Sequence, residues 1–294
     1  MEVLWPDRLP DDKRAVANEL LDGLCAVRGV RVIALGGSYA RGTDHAGSDV
    51  DLGLYYAEHE PFAIEDIRGV AKQSATSRPV VTDFYEWGPW VNGGAWIPTR
   101  AGKVDLLYRN LDQLRRVIAD AVRGKMELHF AQQPPFGFYS VIYLAETQAA
   151  RPLYDPHNVL GALQRDVATY PPALKHTIIR EYLWGVEFTL LFARDFATRA
   201  DVYGTVGCLT RALSYLTQVL YALNETYFIS DKGAMQAVAE FPASPPAWAE
   251  RVQRILARPG STPAELSEAV AMLAALFRDV VGLAGSLYQP KYLL

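Results

Sequence analysis

The sequence predicts two architectures in succession. An α/β (α+β) domain with a mixed sheet is expected over residues 1–124, and an all-α helical-bundle domain over residues 125–294. Three observations carry this. The chain has 294 residues, enough for one large or two modest domains. Up to Gly124, β-rich apolar runs alternate with amphipathic segments. From about Phe136 onward strand patterns nearly vanish, and apolar residues recur at helical spacing.

The elements follow in order. "DDKRAVANELLDGLCAV" repeats apolar residues every three or four positions and reads as a helix. "VRVIALGG" is a β-rich run stopped by glycines, hence a buried strand. "DVDLGLYY" is a second strand, preceded by the turn-formers Gly42, Asp44, Gly47 and Ser48. "IEDIRGVAKQSA" is helical. "PVVTDFYEW" and "VDLLYRN" are strands separated by the glycine-containing "GPWVNGGAWIPTRAGK", and "LDQLRRVIADAVRG" is a helix ending at Gly124. In the second half, "KHTIIREYLWGVEFTLLFARDFATR" and "LTRALSYLTQVLYALNETY" are long helices, the latter with Leu209, Ala212, Leu213, Leu216, Val219, Leu220 and Leu223 on one face. "STPAELSEAVAMLAALFRDVVGLAG" opens on a cap-like Thr262, Pro263 and Glu265 and closes at Gly285.

Composition excludes several classes. Half the residues are hydrophobic and 21% charged, the balance of a soluble globular chain. Residues 1–124 hold 15 basic and 18 acidic side chains, and residues 125–294 hold 14 and 15. Neither half has the cationic footprint of a general nucleic-acid binder, so a nucleic-acid partner is not favoured. The two cysteines, Cys25 and Cys208, argue for a reducing, cytoplasmic setting and against a cysteine zinc site. The acidic, proline-broken start "MEVLWPDRLPDDKR" is not a signal peptide, and no run of 18 apolar residues suggests a membrane span. The sequence carries no signal for an oligomeric state.

The chemistry concentrates in "LGGSYARGTDHAGSDVDLGLYY". Residues i and i+2 of a strand share a face, so Asp49 and Asp51 project side by side, roughly 7 Å apart in a regular strand. Two such carboxylates repel unless a cation lies between them or one is protonated. Asp105, in "KVDLLYR", is a third acid on a neighbouring strand. Three carboxylates in this arrangement suit Mg²⁺, which takes oxygen ligands. Gly36 and Gly37 let the backbone approach a ligand, and Ser38 with the amides opening a short helix can hold phosphate oxygens, with Arg41 adding charge. The turn lacks the lysine of a Walker A loop and the spacing of a dinucleotide fingerprint. Taken singly, the glycines could be a plain strand-ending turn and the acids an exposed edge.

Together, "GGSYARGTDHAGSDVDL" and the later "VDLL" resemble the nucleotidyltransferase superfamily that includes DNA polymerase beta, kanamycin nucleotidyltransferase and the CCA-adding enzymes. Gly37, Ser38, Asp49, Asp51 and Asp105 match its signature, which spans roughly residues 32–108. "GPWVNGGAW", "VDLLYR" and "LYALNETYF" are similar to small bacterial nucleotidyltransferase-domain proteins, and the resemblance implies a helical substrate-binding domain beside the catalytic one.

The resemblance implies a Mg²⁺-dependent transfer of a nucleoside monophosphate from a nucleoside triphosphate, ATP being the expected one, to a hydroxyl of a small, possibly aminoglycoside-like acceptor, with release of pyrophosphate. Two Mg²⁺ ions are held by Asp49, Asp51 and Asp105, and Gly37 and Ser38 position the β- and γ-phosphates. Ser48, Asn224, Tyr227 and Lys232 join the candidate nucleotide-binding residues, and Glu146 is the candidate general base. Each has a plainer reading: a turn serine, a solvated lysine, a core tyrosine, an ion-pairing glutamate. Trp87, Trp90 and Trp96 either wall the acceptor cleft or pack the core, and His129, His157 and His176 lack metal-ligand spacing. The alternative function is a nucleotide-binding, antitoxin-like module, or a protein- or tRNA-modifying one, acting through a macromolecular partner.

Overall fold

The computed structural model describes residues 4–292. Its elements in chain order are α1 (Asp11–Cys25), β1 (Val32–Leu35), α2 (Gly37–Arg41), β2 (Val50–Tyr56), α3 (Ile64–Ser74), β3 (Val80–Val81), β4 (Gly94–Thr99), β5 (Gly102–Asn110), α4 (Leu111–Val122), β6 (Leu128–His129), β7 (Phe138–Tyr139), α5 (Ile142–Ala149), β8 (Arg151–Tyr154), α6 (Val159–Asp166), α7 (Pro172–Thr198), α8 (Val202–Leu223), α9 (Ala234–Glu240), α10 (Trp248–Ala257) and α11 (Pro263–Ala284). The expected order of a mixed α/β region followed by helices holds.

Two compact units form. The first comprises residues up to Ala119 together with Leu128–Thr169, and the second comprises Asp120–Glu127 and everything from Tyr170. The expected boundary at residue 124 therefore differs from the structural division. The physical reason is β8, which hydrogen-bonds along β1 and draws the segment after residue 127 into the first unit.

The first unit is built on a six-stranded sheet of order β3-β4-β5-β2-β1-β8. Only β2 and β5 run parallel; every other pairing in it is antiparallel. Alternation along the strands sorts side chains onto two faces. Val50, Leu52 and Leu54 of β2, with Val104 and Leu106 of β5 and Ala95 and Ile97 of β4, pack under Leu20 and Leu24 of α1 and Ile67 and Ala71 of α3. The opposite face carries Asp51, Gly53 and Tyr55 from β2 and Asp105, Leu107 and Arg109 from β5.

Two strands depart from the sequence expectation. β4 lies inside the segment read as a glycine-rich loop, and β8 lies in the half read as helical. Pro98 near the end of β4 and Pro152 in the edge strand β8 are strand-breaking signals, and proline is tolerated at strand ends and on sheet edges. Of "PVVTDFYEW", only Val80–Val81 pairs.

In the second unit, α7 and α8 form an antiparallel hairpin against which α11 packs. Its core holds Leu183, Val186 and Leu190 from α7, Leu209, Leu216 and Leu220 from α8, and Leu273, Leu276 and Phe277 from α11. The expected capping box at the start of α11 is present: Glu265 N donates to Thr262 Oγ1 at 3.3 Å, and Thr262 N donates to Glu265 Oε2 at 3.0 Å. By length and composition Pro263–Leu287 is apolar enough to cross a membrane, where the sequence reading expected no such helix. Its buried residues pack against α7 and α8, which gives that composition a role in the bundle. Glu187, fully buried in α7, binds the end of the chain: Tyr288 Oη, Lys291 N and Tyr292 N all donate to its carboxylate.

Candidate functional site

One transverse row of the first unit's sheet gathers most of the candidates. Gly36 N donates to Asp51 O at 2.8 Å where β1 leaves the sheet. Asp51 stands opposite Asp105 in the parallel β2–β5 register, and Asp105 stands opposite Trp96 in the antiparallel β5–β4 register. Cross-strand partners share a sheet face. The row therefore runs glycine turn, two carboxylates, indole, all on the face away from α1 and α3. Asp49 lies one residue before β2 and so enters from the adjoining turn rather than from within the strand.

The turn at Gly36-Gly37 is shaped by the carboxylate beneath it. Gly37 has φ +61°, and a Cβ there would lie 1.7 Å from Asp51 Oδ2. Only glycine allows α2 to start directly above Asp51. Arg41 is exposed at the end of α2, and its Nε donates back to Gly37 O at 3.2 Å. The segment between α2 and β2 is pinned on both sides. Arg8 donates to Gly42 O at 2.8 Å, His45 N donates to Ser48 Oγ at 2.9 Å, and Lys13 Nζ donates to Ser48 O. Ser48 thus acts in the local turn, the plainer of its two sequence readings.

The electrostatics of the row are dominated by negative charge. Burial, then Asp105, then Asp49 push the Asp51 carboxyl up to about 6. The counter-charge comes from Lys103, which the sequence reading did not single out. Its ammonium lies 3.0 Å from Asp49 Oδ2 and 3.0 Å from Asp105 Oδ2. Those two oxygens are therefore no more than about 6 Å apart. Burial works against the charged lysine, but its bonds to Asp105 and Asp49 outweigh that and hold its pKa above the ordinary value. The signal was available: Lys103 is two residues before Asp105, so both project from the same face of β5.

Among the described residues no group of three or more His, Cys, Asp or Glu side chains is arranged as a metal centre. The donor set is nonetheless of the right kind. Three carboxylates supply hard oxygen donors, the preference of Mg²⁺. Asp105 and Asp49 add to burial in raising the Asp51 carboxyl, and Lys103 opposes them.

Residues 17–129 match the model of the nucleotidyltransferase domain family. Residues 17–129 therefore form a nucleotidyltransferase domain, the domain of a transferase of nucleotidyl groups. No curated protein matches the chain. Among solved structures, a nucleotidyltransferase-like protein from Exiguobacterium sibiricum is 10% identical with a TM-score of 0.47, over 94% of this chain and 78% of that one. A chain of the CdnC:HORMA-deltaN complex from E. coli MS115-1 is 13% identical with a TM-score of 0.27, over 98% of this chain and 95% of that one.

Glu146 falls outside the helical unit in which the sequence reading placed it. It lies on α5 in the first unit, where its two carboxylate oxygens each accept a 2.9 Å bond from Arg109. Arg109 is nearly buried on β5 and also lies over the Tyr143 ring at 5.5 Å. The ion-pairing reading of Glu146 describes this arrangement. Arg109 carries no local signal of this role, because an arginine near a strand end reads as solvated.

Asn224, Tyr227 and Lys232 belong to the second unit. Asn224 follows the last residue of α8; its Nδ2 donates to Leu220 O and Ala243 O, and its Oδ1 accepts from Ala243 N. Tyr227 is buried and stacks on Tyr170 at 4.8 Å. Lys232 is exposed in the turn two residues before α9. Of the three tryptophans, Trp90 is buried against Phe138 and Tyr143. Trp96 is 44% exposed, and Trp87 stacks on it at 4.8 Å.

Proposed function

We propose that the protein transfers a nucleoside monophosphate from a nucleoside triphosphate, ATP first among them, to a hydroxyl of a small acceptor, with pyrophosphate as the second product. The observation that carries this reading is the convergence of Asp49, Asp51 and Asp105 beside the Gly36–Ser38 turn within the nucleotidyltransferase domain. Asp49, Asp51 and Asp105 would hold the divalent cations, Mg²⁺ in the first instance, and bound cations would stabilise the charge that develops on the attacking and leaving oxygens.

The chain's own groups do the rest. The amides and hydroxyl of Gly37 and Ser38 bind the terminal phosphates, which the missing side chain at Gly37 lets close to the sheet. The transferred phosphoryl then lies over Asp51 and Asp105. In an in-line displacement the attacking oxygen enters opposite the leaving pyrophosphate. With pyrophosphate at the glycine end of the row, the acceptor comes from the Trp96 end. There the Trp87–Trp96 stack offers a flat apolar surface to a ring-bearing acceptor. Arg109, tied to Glu146, fixes the lower part of the same face. Cys25 and Cys208 are free thiols, in keeping with a cytoplasmic setting.

The test separates enzyme from binding module. Pyrophosphate release and triphosphate affinity are measured on the same preparations of wild type and Asp105→Asn, with a panel of hydroxylated acceptors including aminoglycosides. Asp105 acts mainly on the attacking oxygen, so its loss lowers turnover by at least about two to three orders of magnitude and affinity far less. Tight nucleotide binding without turnover in the wild type, unchanged by the substitution, replaces the transferase reading with a nucleotide-binding module acting through a macromolecular partner.

A further inference from the structure

We infer that Lys103 is a built-in counter-ion of the carboxylate cluster, which excludes bare divalent cations and gives way only when the cation arrives with a triphosphate. The inference rests on the metal-binding reading above and concerns how that site is filled.

The geometry is specific. One ammonium contacts a carboxylate oxygen from the turn before β2 and another from β5, each at 3.0 Å. It therefore occupies the space between two of the three acids that a divalent cation would need. A lysine ammonium and a divalent cation compete for the same oxygen lone pairs, so the two states exclude each other. The field of the cluster favours whichever cation is present, and Lys103 is tethered there at all times.

The tether is built for release. Lys103 follows Gly102, whose φ of +103° closes the tight β4–β5 hairpin, and its backbone is held by the β4–β5 ladder at Pro98. The strand stays fixed while the four-carbon stem moves. The side chain is 41% exposed, so the ammonium can swing outward without disturbing the core. An arginine fork would bind the carboxylates more rigidly. Leaving two carboxylates for water is costly for the lysine. A triphosphate lowers that cost, because its oxygens offer the displaced ammonium a new anionic partner beside the same row. Metal and nucleotide thereby become mutually dependent ligands.

The experiment measures binding rather than turnover. Mn²⁺ is titrated into wild type, Lys103→Met, Lys103→Gln and Lys103→Arg, with bound ion followed by electron paramagnetic resonance. Each titration is repeated with α,β-methylene triphosphate analogues of the four nucleosides. Without nucleotide, the two neutral variants bind Mn²⁺ at least about tenfold more tightly than wild type, the scale of removing one adjacent charge. Lys103→Arg stays close to wild type. With an analogue bound, wild type gains much more Mn²⁺ affinity than the neutral variants, and the gap narrows. Equal affinity of wild type and both neutral variants for bare Mn²⁺ overturns the counter-ion role and leaves the metal site standing. Absence of Mn²⁺ binding in every protein with every analogue removes the metal reading itself, and this inference with it.

Discussion

Replacing Asp51 by Asn is expected to stabilise the metal-free protein, although it removes a residue proposed to be essential. The Asp51 carboxyl is raised from 3.8 to about 6, first by burial, then by Asp105 and Asp49. The sign follows from proton binding. Between those two values the folded carboxyl holds a proton that the unfolded chain has released, so stability falls as pH rises through this window. Below about pH 4 the penalty is absent, and above about pH 6 it is complete. The shift is close to two pH units, and each is worth about 1.4 kcal/mol, so the full penalty is about 3 kcal/mol. The asparagine amide recovers part of this, leaving an expected gain of about 1–3 kcal/mol at pH 8 and little at pH 4. Urea unfolding with a chelator present is the assay. Fluorescence weights the first unit, because Trp5, Trp87, Trp90 and Trp96 all belong to it. A variant that is no more stable than wild type at pH 8, or that keeps the same loss of stability between pH 4 and pH 7, refutes the argument that these acids strain the apo fold.

Three further outcomes follow from the same geometry. Gly37→Ala places a methyl 1.7 Å from Asp51 Oδ2 in a left-handed backbone, so calorimetry should show lost triphosphate binding and a stability cost above about 1 kcal/mol. Glu146→Ala leaves Arg109 charged, nearly buried and without its carboxylate, and urea unfolding should register a loss of about 3 kcal/mol, with Glu146→Gln losing less. Glu187→Ala removes the acceptor for Tyr288 Oη, Lys291 N and Tyr292 N, so amide exchange at Lys291 and Tyr292 should accelerate by at least about tenfold while the α7 core stays protected.

What could be read from the sequence followed from short-range rules. The two-residue period of a strand sets Lys103 beside Asp105 on β5, whereas Asp49, which the same period assigned to a strand face with Asp51, enters from the turn before β2. Glycine at position 37 was legible as a close approach, though not what it approaches. The strands that were missed depend on long-range pairing. Gly93, Gly94 and Pro98 signal a break, yet β5 supplies a full antiparallel partner and overrides them. The bond between Arg109 and Glu146 joins residues from different elements and has no local signature. The stopping point at Gly124 was a true helix end, but a helix end is not a domain end when a later strand returns to the sheet.

That returning strand has a consequence for how the chain is made. β1 pairs with β2 on one side, but its other edge is covered only by residues 151–154, more than a hundred positions further on. Until the ribosome has released β8, Val32–Leu35 presents a row of open amides and carbonyls in an apolar strand, the type of edge on which chains add to one another. A fragment cut at residue 124 would keep every signature acid and the whole phosphate turn, yet carry that bare edge permanently. Fragments of this protein intended to stay monomeric should therefore end beyond Thr169, where the first unit has closed its own sheet.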